Sequence, residues 1–136
     1  MARRKARETA FKLLYEDTFG VNTAKELFIN LFDELSVGEE INQSDIDYID
    51  QVFKLAKENI VEIDKVISTY AKGWVISRMP RVDLSLMRLA LTEMLYMPDI
   101  PTAVSINEAV ELSKLYSADD GPAFINGVLG AYVRGL

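Results

Sequence analysis

Residues 80–97 read PRVDLSLMRLALTEMLYM, and apolar side chains recur on nearly every face when this segment is drawn as a helix. A helix that is apolar almost all round is typical of a buried position, since little of its surface can face water. Pro80 suits the first turn of such a helix, where its missing N–H group loses no hydrogen bond. We therefore expect residues 80–97 to form a buried central helix against which the rest of the chain packs.

Helical periodicity continues on both sides of this segment. Apolar residues recur at three- and four-residue spacing, and we find no convincing two-residue alternation. The sequence therefore predicts an all-α fold, a compact bundle of about seven helices. The predicted helices span approximately residues 3–19, 23–36, 44–56, 59–70, 80–97, 105–116 and 122–132.

Local signals mark several of the predicted helix ends. Gly20 follows the first helix as a stop. Asn59, with an acid three residues later, has the spacing of a helix cap. Ser105-Ile106-Asn107-Glu108 has the spacing of a capping box, in which the serine and the glutamate each accept a bond from a free backbone N–H group. We expect this box to start the sixth helix.

The length and amino-acid composition of the chain limit the classes of protein to which it can belong. The chain has 136 residues, 49% of them hydrophobic, which is the size of one domain with a substantial core, so we expect a single domain over residues 1–136. It contains no Cys and no His, which excludes disulfides and thiolate chemistry and removes the commonest metal ligand and general base. We expect no catalysis, no cofactor and no metal site.

The sequence also lacks the features of membrane and secreted proteins. No apolar run approaches the roughly 18 residues that a membrane span needs. A basic N-terminus is present, but the apolar segment of a signal peptide does not follow it. We therefore expect a cytoplasmic protein that has no membrane partner.

The first twelve residues form a basic arm on an acidic chain. They sum to +4, whereas the whole chain has a net charge of −6, which leaves −10 for the remainder. Such an arm can neutralise phosphates and release counterions, so it is a candidate contact for RNA or DNA. A solvated helix start is the alternative. The charged residues of the arm are Arg3, Arg4, Lys5, Arg7, Glu8 and Lys12.

Four segments together resemble the NusB transcription antitermination factors, and the resemblance covers the whole chain. They are Arg3–Glu8 continuing to Leu13-Leu14-Tyr15, Trp74–Arg78 with Val82–Arg88, Val104–Leu112, and Phe124–Leu129. The resemblance implies an all-helical adaptor that pairs with the ribosomal protein NusE and binds single-stranded boxA RNA. With RNA polymerase and other Nus factors, such adaptors help transcription to read through terminators in ribosomal RNA operons.

Two other classes of protein remain alternatives. One is a helical adaptor that binds only protein, in which the basic arm is incidental. The other is a detached module of an RNA cytosine methyltransferase, since the same fold occurs at the N-terminus of some of those enzymes. The chain ends at Leu136 with no methyl-donor domain, and we therefore expect a stand-alone family member that is not an enzyme.

The resemblance places an arginine-rich RNA-binding motif on Arg3, Arg4, Lys5 and Arg7. Arg3 and Arg7 are four residues apart and share one helix face. Glu8 is four residues beyond Arg4 and can pair with it, which would offset its charge. We therefore expect Arg3 and Arg7 to contribute more to RNA binding than Arg4.

The resemblance also places RNA contacts just before the last helix, at Tyr116, Asp119 and Asp120. Tyr116 fits either a stacking platform for a base or the last core residue of its helix. Asp120 fits either an acceptor for a base or the N-cap of the last helix, and its negative charge near phosphates should weaken binding unless it accepts a hydrogen bond from a base. In place of a basic residue common in the family, this chain has Ala123.

NusE contacts are implied at Tyr15, late on the first helix, and Asp83, early on the central helix. A tyrosine at a core edge and an acid in a first turn also have ordinary helix roles. We expect Asp83 to lie at the surface, where it can meet a basic partner. Gly127 in the last helix leaves room for another helix or for RNA backbone, and the sequence does not choose between them.

Overall fold

The computed structural model describes residues 2–20 and 42–135, in which no strand occurs, and the predicted all-α fold is confirmed. The predicted helix over residues 23–36 lies outside the described residues. Within them, no helix is both long and apolar enough to cross a bilayer. The described helices are α1 (Ala2–Asp17), α2 (Gln43–Glu58), α3 (Ile60–Tyr70), a short 3-10 helix (Ile76–Arg78), α4 (Arg81–Tyr96), α5 (Thr102–Tyr116) and α6 (Gly121–Arg134).

Helix α4 is the centre of the fold, as its sequence predicts. It packs against each of α1, α2, α3, α5 and α6. Leu86, Met87 and Leu91 on α4 are completely buried. Burying one such side chain stabilises the fold by about 1.5–3 kcal/mol, so this helix anchors the hydrophobic core.

The outer helices turn one apolar stripe toward α4. On α1 the stripe includes Ala6, Ala10 and Leu13, and on α6 it includes Ile125 and Leu129, all buried. Residues three and four apart share a helix face, which explains why these spacings bury one side and leave the other polar. The basic arm therefore lies on a helix that is anchored by its opposite face.

Turn residues act partly as predicted. Gly20 ends α1 with φ +73°, a left-handed conformation that glycine adopts without steric cost. Asn42 caps α2, and its Oδ1 accepts a hydrogen bond of 2.9 Å from the Asp45 backbone N–H. Asn59 precedes α3 without capping it, because its side-chain amide donates instead to the Leu55 carbonyl of α2.

The predicted capping box at Ser105 and Glu108 is wrong. Helix α5 begins one turn earlier, at Thr102 directly after Pro101, so Ser105 already lies inside the helix. Ser105 Oγ donates to Glu93 Oε1 on α4 at 2.7 Å, and Glu108 binds Arg4 on α1. Both side chains are used between helices rather than at a helix end, which the local spacing could not reveal.

Candidate nucleic-acid interface

The cations at the start of α1 are held by partners from neighbouring helices. Arg3 Nε donates to Asp45 Oδ1 on α2 at 3.0 Å, and its guanidinium lies 4.6 Å from the centre of the Tyr48 ring. Arg4 donates to both carboxylate oxygens of Glu108 on α5, at 3.1 and 2.6 Å. These contacts fix the direction of the two arginines, since a bidentate guanidinium pair restricts rotation.

The expected pairing of Arg4 with Glu8 is wrong. Arg4 reaches across to α5, where its hydrogen bond is the main cause that lowers the pKa of Glu108. Glu8 instead lies 3.6 Å from Lys5 Nζ and accepts a 2.8 Å hydrogen bond from the Tyr116 hydroxyl. Arg4 and Lys5 nevertheless remain exposed and can reach a ligand.

Arg7 does not lie at the surface, contrary to expectation. Its side chain is buried, with only 6% of the residue exposed, and its Nε donates to Glu93 Oε2 at 2.9 Å. Burial is the largest single influence and lowers the pKa of Arg7, but the hydrogen bond to Glu93 together with the charges of Glu93, Tyr48 and Glu108 raises that pKa overall. The expected advantage of Arg7 over Arg4 in reaching RNA is therefore not supported by its placement.

Glu93 is a structural centre that the sequence reasoning missed. It is buried on α4 and accepts hydrogen bonds from Arg7 of α1, from the Tyr48 hydroxyl of α2 and from Ser105 of α5. We call these four residues the Glu93 cluster. An acid in the second half of a helix that carries apolar side chains on nearly every face was the available signal, because a buried carboxylate requires partners.

A surface strip of cations runs along α1 beside α5. The strip consists of Arg4, Lys5, Lys12 and the aromatic Tyr116. We call these four residues the α1–α5 strip. Lys12 Nζ lies 5.7 Å from the centre of the Tyr116 ring, within reach of a cation–π interaction. The spacing of the arginine motif did not single out Lys12, which lies two turns beyond Lys5.

Tyr116 combines the two roles that the sequence left open. Its ring packs on Phe11 with the centroids 5.2 Å apart, while 38% of the residue stays exposed. Burial, with the hydrogen bond to the Glu8 carboxylate, raises the pKa of Tyr116 to about 12. Tyr116 is therefore a neutral, fixed ring with a free surface at neutral pH.

Asp119 and Asp120 are exposed in the turn between α5 and α6. Asp120 stands directly before α6, but its side chain makes no capping hydrogen bond, so the N-cap interpretation of this carboxylate is wrong. Its φ and ψ of −87° and −6° are helical, whereas a capping residue is usually extended. Both carboxylates are open to solvent or to a ligand.

Two clefts flank Arg3. One, of about 500 Å³, lies between α1 and the turn before α5, and the other, of about 470 Å³, lies between α1, α2 and the end of α4. Arg3 lines both clefts. The first also contains Arg4 and Glu108, and the second also contains Gln51 and Tyr96. Polar and aromatic side chains thus surround a cation, an arrangement that suits a nucleotide.

Asp83 is buried, contrary to the expectation that it lies at the surface. Only 4% of the residue is exposed, and its Oδ1 accepts a hydrogen bond from the Ser117 hydroxyl. Burial raises its pKa and the charge of Asp120 adds to this, whereas the Ser117 bond opposes the rise. A first-turn acid is not necessarily exposed, because here α5 and α6 meet over the start of α4.

The surface around Tyr15, the other residue expected to contact NusE, is aromatic. Tyr15 is half-buried and packs edge-on against Phe19, with the ring centroids 5.3 Å apart. The Arg81 guanidinium lies 4.4 Å from the centre of the exposed Phe19 ring, and it donates to the Thr18 carbonyl at 3.1 Å. Arg81 thereby joins the end of α1 to the start of α4. Phe19 and Arg81 were not predicted as site residues.

Comparison with known proteins identifies the family and the fold. The NusB family model matches residues 4–134. Transcription antitermination protein NusB of Acetivibrio thermocellus is 42% identical over 134 residues, covering 98% of this chain and 90% of that protein. The solved structure of T. maritima NusB has a TM-score of 0.86 at 29% identity, covering 98% of this chain and 92% of its own.

A solved complex of antitermination factors NusB and NusE with dsRNA has a TM-score of 0.85 at 29% identity, covering 99% of this chain and 98% of its own. The family match begins at Arg4 of the basic arm and ends at Arg134, the last residue of α6. The chain therefore belongs to the NusB family.

Proposed function

We propose that this chain is a transcription antitermination factor that binds single-stranded boxA-type RNA together with NusE. With RNA polymerase and other Nus factors, it helps transcription to read through terminators in ribosomal RNA operons. Membership of the NusB family supports this assignment. The observation that carries it is the α1–α5 strip, in which the exposed cations Arg4 and Lys5 and the half-buried Lys12 lie on a chain whose net charge is −6.

The residues of the strip have different roles in RNA binding. Arg4, Lys5 and Lys12 attract phosphates, which gives affinity without sequence preference. The exposed face of Tyr116 stacks on an unpaired base. Arg3 reaches a ligand from its two flanking clefts. Their charge is opposite to the net charge of the rest of the chain, which favours RNA binding at this edge of the molecule.

Other predicted RNA residues act differently in this proposal. Arg7 is a positioning residue, because its Nη1 lies 3.7 Å from Glu108 Oε1 and thus steadies the carboxylate that holds Arg4. Asp119 and Asp120 accept hydrogen bonds from base amino groups, since carboxylates repel phosphates. Sequence preference therefore arises beside the strip rather than within it.

The aromatic surface at the end of α1 is the proposed contact for NusE. Tyr15 and Phe19 supply apolar area, and Arg81 supplies a donor at its edge. Rigid aromatic rings lose little conformational entropy on binding, so they are favourable interface residues. Asp83 supports this surface from behind by fixing the junction of α4 and α5.

The proposed role requires no chemistry by the protein itself. Binding both RNA and NusE is sufficient for an adaptor, so we propose that the chain is not an enzyme. A role beside RNA polymerase also implies a cytoplasmic location. One domain over residues 1–136 suffices for both surfaces, since the buried apolar residues of the described helices form one cluster.

A salt titration of RNA binding tests the proposal. The dissociation constant for a boxA-type single strand is measured over a salt series, with and without NusE. We expect weak, salt-dependent binding that NusE strengthens, because few phosphates can be neutralised by a short strip. Replacing Arg4 and Lys5 by alanine should reduce the slope of log K against log salt by roughly 1.4, at about 0.7 for each lost phosphate contact.

A matched control separates the strip from general charge effects. Lys54→Ala with Lys65→Ala removes the same charge from exposed positions on α2 and α3. This variant should keep the wild-type slope. If the slope of log K against log salt is the same for the wild type, the Arg4/Lys5 variant and this control, the α1–α5 strip does not bind RNA. Binding of NusE without any RNA binding would identify an adaptor for proteins alone.

A further inference from the structure

A groove of about 810 Å³ lies between the end of α3 and the outer face of α6, away from the α1–α5 strip. No residue of the proposed RNA or NusE contacts lines it. We call it the Trp74 groove. The lining residues that matter for its chemistry are Lys72, Trp74, Phe124, Gly127 and Arg134.

The charged residues of the groove are cations. Lys72 and Arg134 line it and are exposed, and no acid of the described ranges lines it. Neither cation forms an ion pair with an acidic side chain among residues 2–20 and 42–135. On a chain of net charge −6, this combination favours an anionic ligand.

An exposed aromatic platform stands beside these cations. Trp74 is 47% exposed, and its ring packs on Phe124 with the centroids 5.4 Å apart. Phe124 supports one side of the indole and leaves the rest of the ring open. A supported aromatic ring next to cations is the arrangement that binds unpaired bases by stacking and their phosphates by charge.

Small residues make the groove open. Ala123, Gly127 and Ala131 follow each other at four-residue spacing on α6, so they lie on one face of that helix. A Cβ atom placed on Gly127 would have no other atom within 4 Å. The sugar–phosphate backbone of a strand can therefore lie close to the helix beside Trp74.

We propose that the Trp74 groove is a second binding site for single-stranded RNA. A base stacks on Trp74, and Lys72 and Arg134 bind the phosphates on either side. A short turn separates Tyr116, at the end of α5, from the start of α6, so the groove and the α1–α5 strip belong to consecutive helices. The proposal goes beyond the proposed function, because this contact depends neither on boxA sequence nor on the strip.

An acidic helix of a protein is the other candidate occupant of the groove, but the exposed indole favours RNA. An amphipathic helix would cover the small-residue face of α6 and needs no free ring beside it. Stacking, in contrast, uses the open ring directly, and it tolerates any base because every base has a π face.

Trp74 is the only tryptophan in the chain, so its fluorescence reports on this groove alone. The probes are oligouridylate and oligoadenylate of about twelve nucleotides, a length that spans one single-strand site. We expect saturable quenching that weakens as salt is added. The variant Lys72→Ala with Arg134→Ala should lower the salt slope by roughly 1.4, whereas Lys54→Ala with Lys65→Ala should keep it.

The stacking contact is tested separately by anisotropy of a labelled oligonucleotide. Trp74→Ala should weaken binding by roughly 5- to 150-fold, the range for loss of one stacked base. The variant Arg4→Ala with Lys5→Ala should retain the quenching of Trp74, which distinguishes this site from the strip. Quenching that is lost in that variant would overturn the second site and leave the strip in place.

Two further results would also overturn the proposal. The first is oligonucleotide binding without any change in Trp74 fluorescence. The second is quenching by NusE or another protein and none by RNA, which would make the groove a protein docking surface.

Discussion

Two arginines three residues apart on α1 have opposite environments. Arg4 is exposed and reaches the buried carboxylate of Glu108, whereas Arg7 is itself buried and pairs with Glu93. Loss of Arg7 leaves Glu93 uncompensated in the core, but loss of Arg4 leaves Glu108 with Arg7 still 3.7 Å away. The arginine motif therefore contains residues for binding and residues for folding.

We predict that Arg7→Ala lowers the free energy of unfolding by about 3–5 kcal/mol, because Glu93 is left buried without its cation. Arg4→Ala should lower that free energy less than Arg7→Ala does, because Arg4 is exposed and Glu108 keeps Arg7 nearby, and it should weaken RNA binding. Urea denaturation and an RNA titration measure the two effects. Replacing Arg7 by Met together with Glu93→Gln should recover part of the lost stability. Equal stability of Arg7→Ala and Arg4→Ala would contradict the assignment.

The different roles of these arginines could not be predicted from the sequence. The spacing rule for helices compares residues within one turn, and it assigned Glu8 to Arg4. The actual partners, Glu93 and Glu108, are 86 and 104 residues further along the chain. Only the packing of α1 against α4 and α5 brings them together. The basic character of the arm was predictable, but the direction of each side chain was not.

Asp83 gives a prediction about pH. Its pKa is raised by burial, so the fold disfavours the ionised carboxylate relative to the unfolded chain. The stability that Asp83 supplies is complete below the ordinary value of 3.8 and is lost as pH rises through the folded pKa. Asp83→Asn imitates the protonated form and can still accept the Ser117 bond. We therefore expect this variant to match or exceed wild-type stability at neutral pH.

Thermal melts of wild type and Asp83→Asn over a pH series check this. The difference between the two melting temperatures should move in favour of the wild type as pH falls through the folded pKa. A variant that is strongly destabilised at neutral pH would show that the charge itself is required. Asp83→Lys should unfold the junction, since it places a long cation where α4, α5 and α6 meet.

At the scale of helices, two glycines of α6 illustrate opposite constraints. A Cβ on Gly121 would collide with Ser117 Oγ and would lie 3.2 Å from Asp83 Oδ1. A Cβ on Gly127 would meet no other atom within 4 Å. The first glycine therefore allows α6 to begin close to α5 and α4, while the second leaves one face of α6 open.

We predict that Gly121→Ala destabilises the protein by about 1–3 kcal/mol through overpacking. Gly127→Ala should stabilise it by about 0.5–1 kcal/mol, because alanine is the better helix residue and has room. Urea midpoints of both variants measure this. Adding Ser117→Gly to Gly121→Ala should remove the collision and restore part of the loss. A Gly121→Ala variant as stable as wild type would contradict the close approach of α5 and α6.

Helix positions were more predictable than helix ends. The apolar periodicity of α4 located the buried central helix, because burial on all sides leaves a pattern in the sequence itself. The cap at Ser105 failed, since its hydroxyl is used by Glu93 on another helix. The aromatic contact of Phe19 with Arg81 was missed for a similar reason, because it joins the end of α1 to a helix far along the chain.

For the whole molecule, the Glu93 cluster is the point where four helices are connected by polar contacts. Glu93 of α4 accepts hydrogen bonds from α1, α2 and α5, while the surrounding core is apolar. A buried polar network that is fully paired specifies one arrangement of the helices, because any other arrangement leaves a charge without partners. The position of the α1–α5 strip therefore depends on a residue that does not contact RNA.

Hydrogen exchange should locate the most stable part of the molecule in α4. Since α4 packs against α1, α2, α3, α5 and α6, its amides are exposed only when all of these separate. We predict that the amides of Leu86 to Leu91 exchange with the free energy of global unfolding measured in urea, whereas those near Arg134 exchange by local fraying. Glu93→Gln should accelerate exchange in α1, α2, α4 and α5 by a common factor, because the cluster makes them one cooperative unit. If α1 and α2 alone exchange faster in that variant while α4 keeps its protection, Glu93 holds the outer helices only locally and the cooperative unit is smaller than proposed.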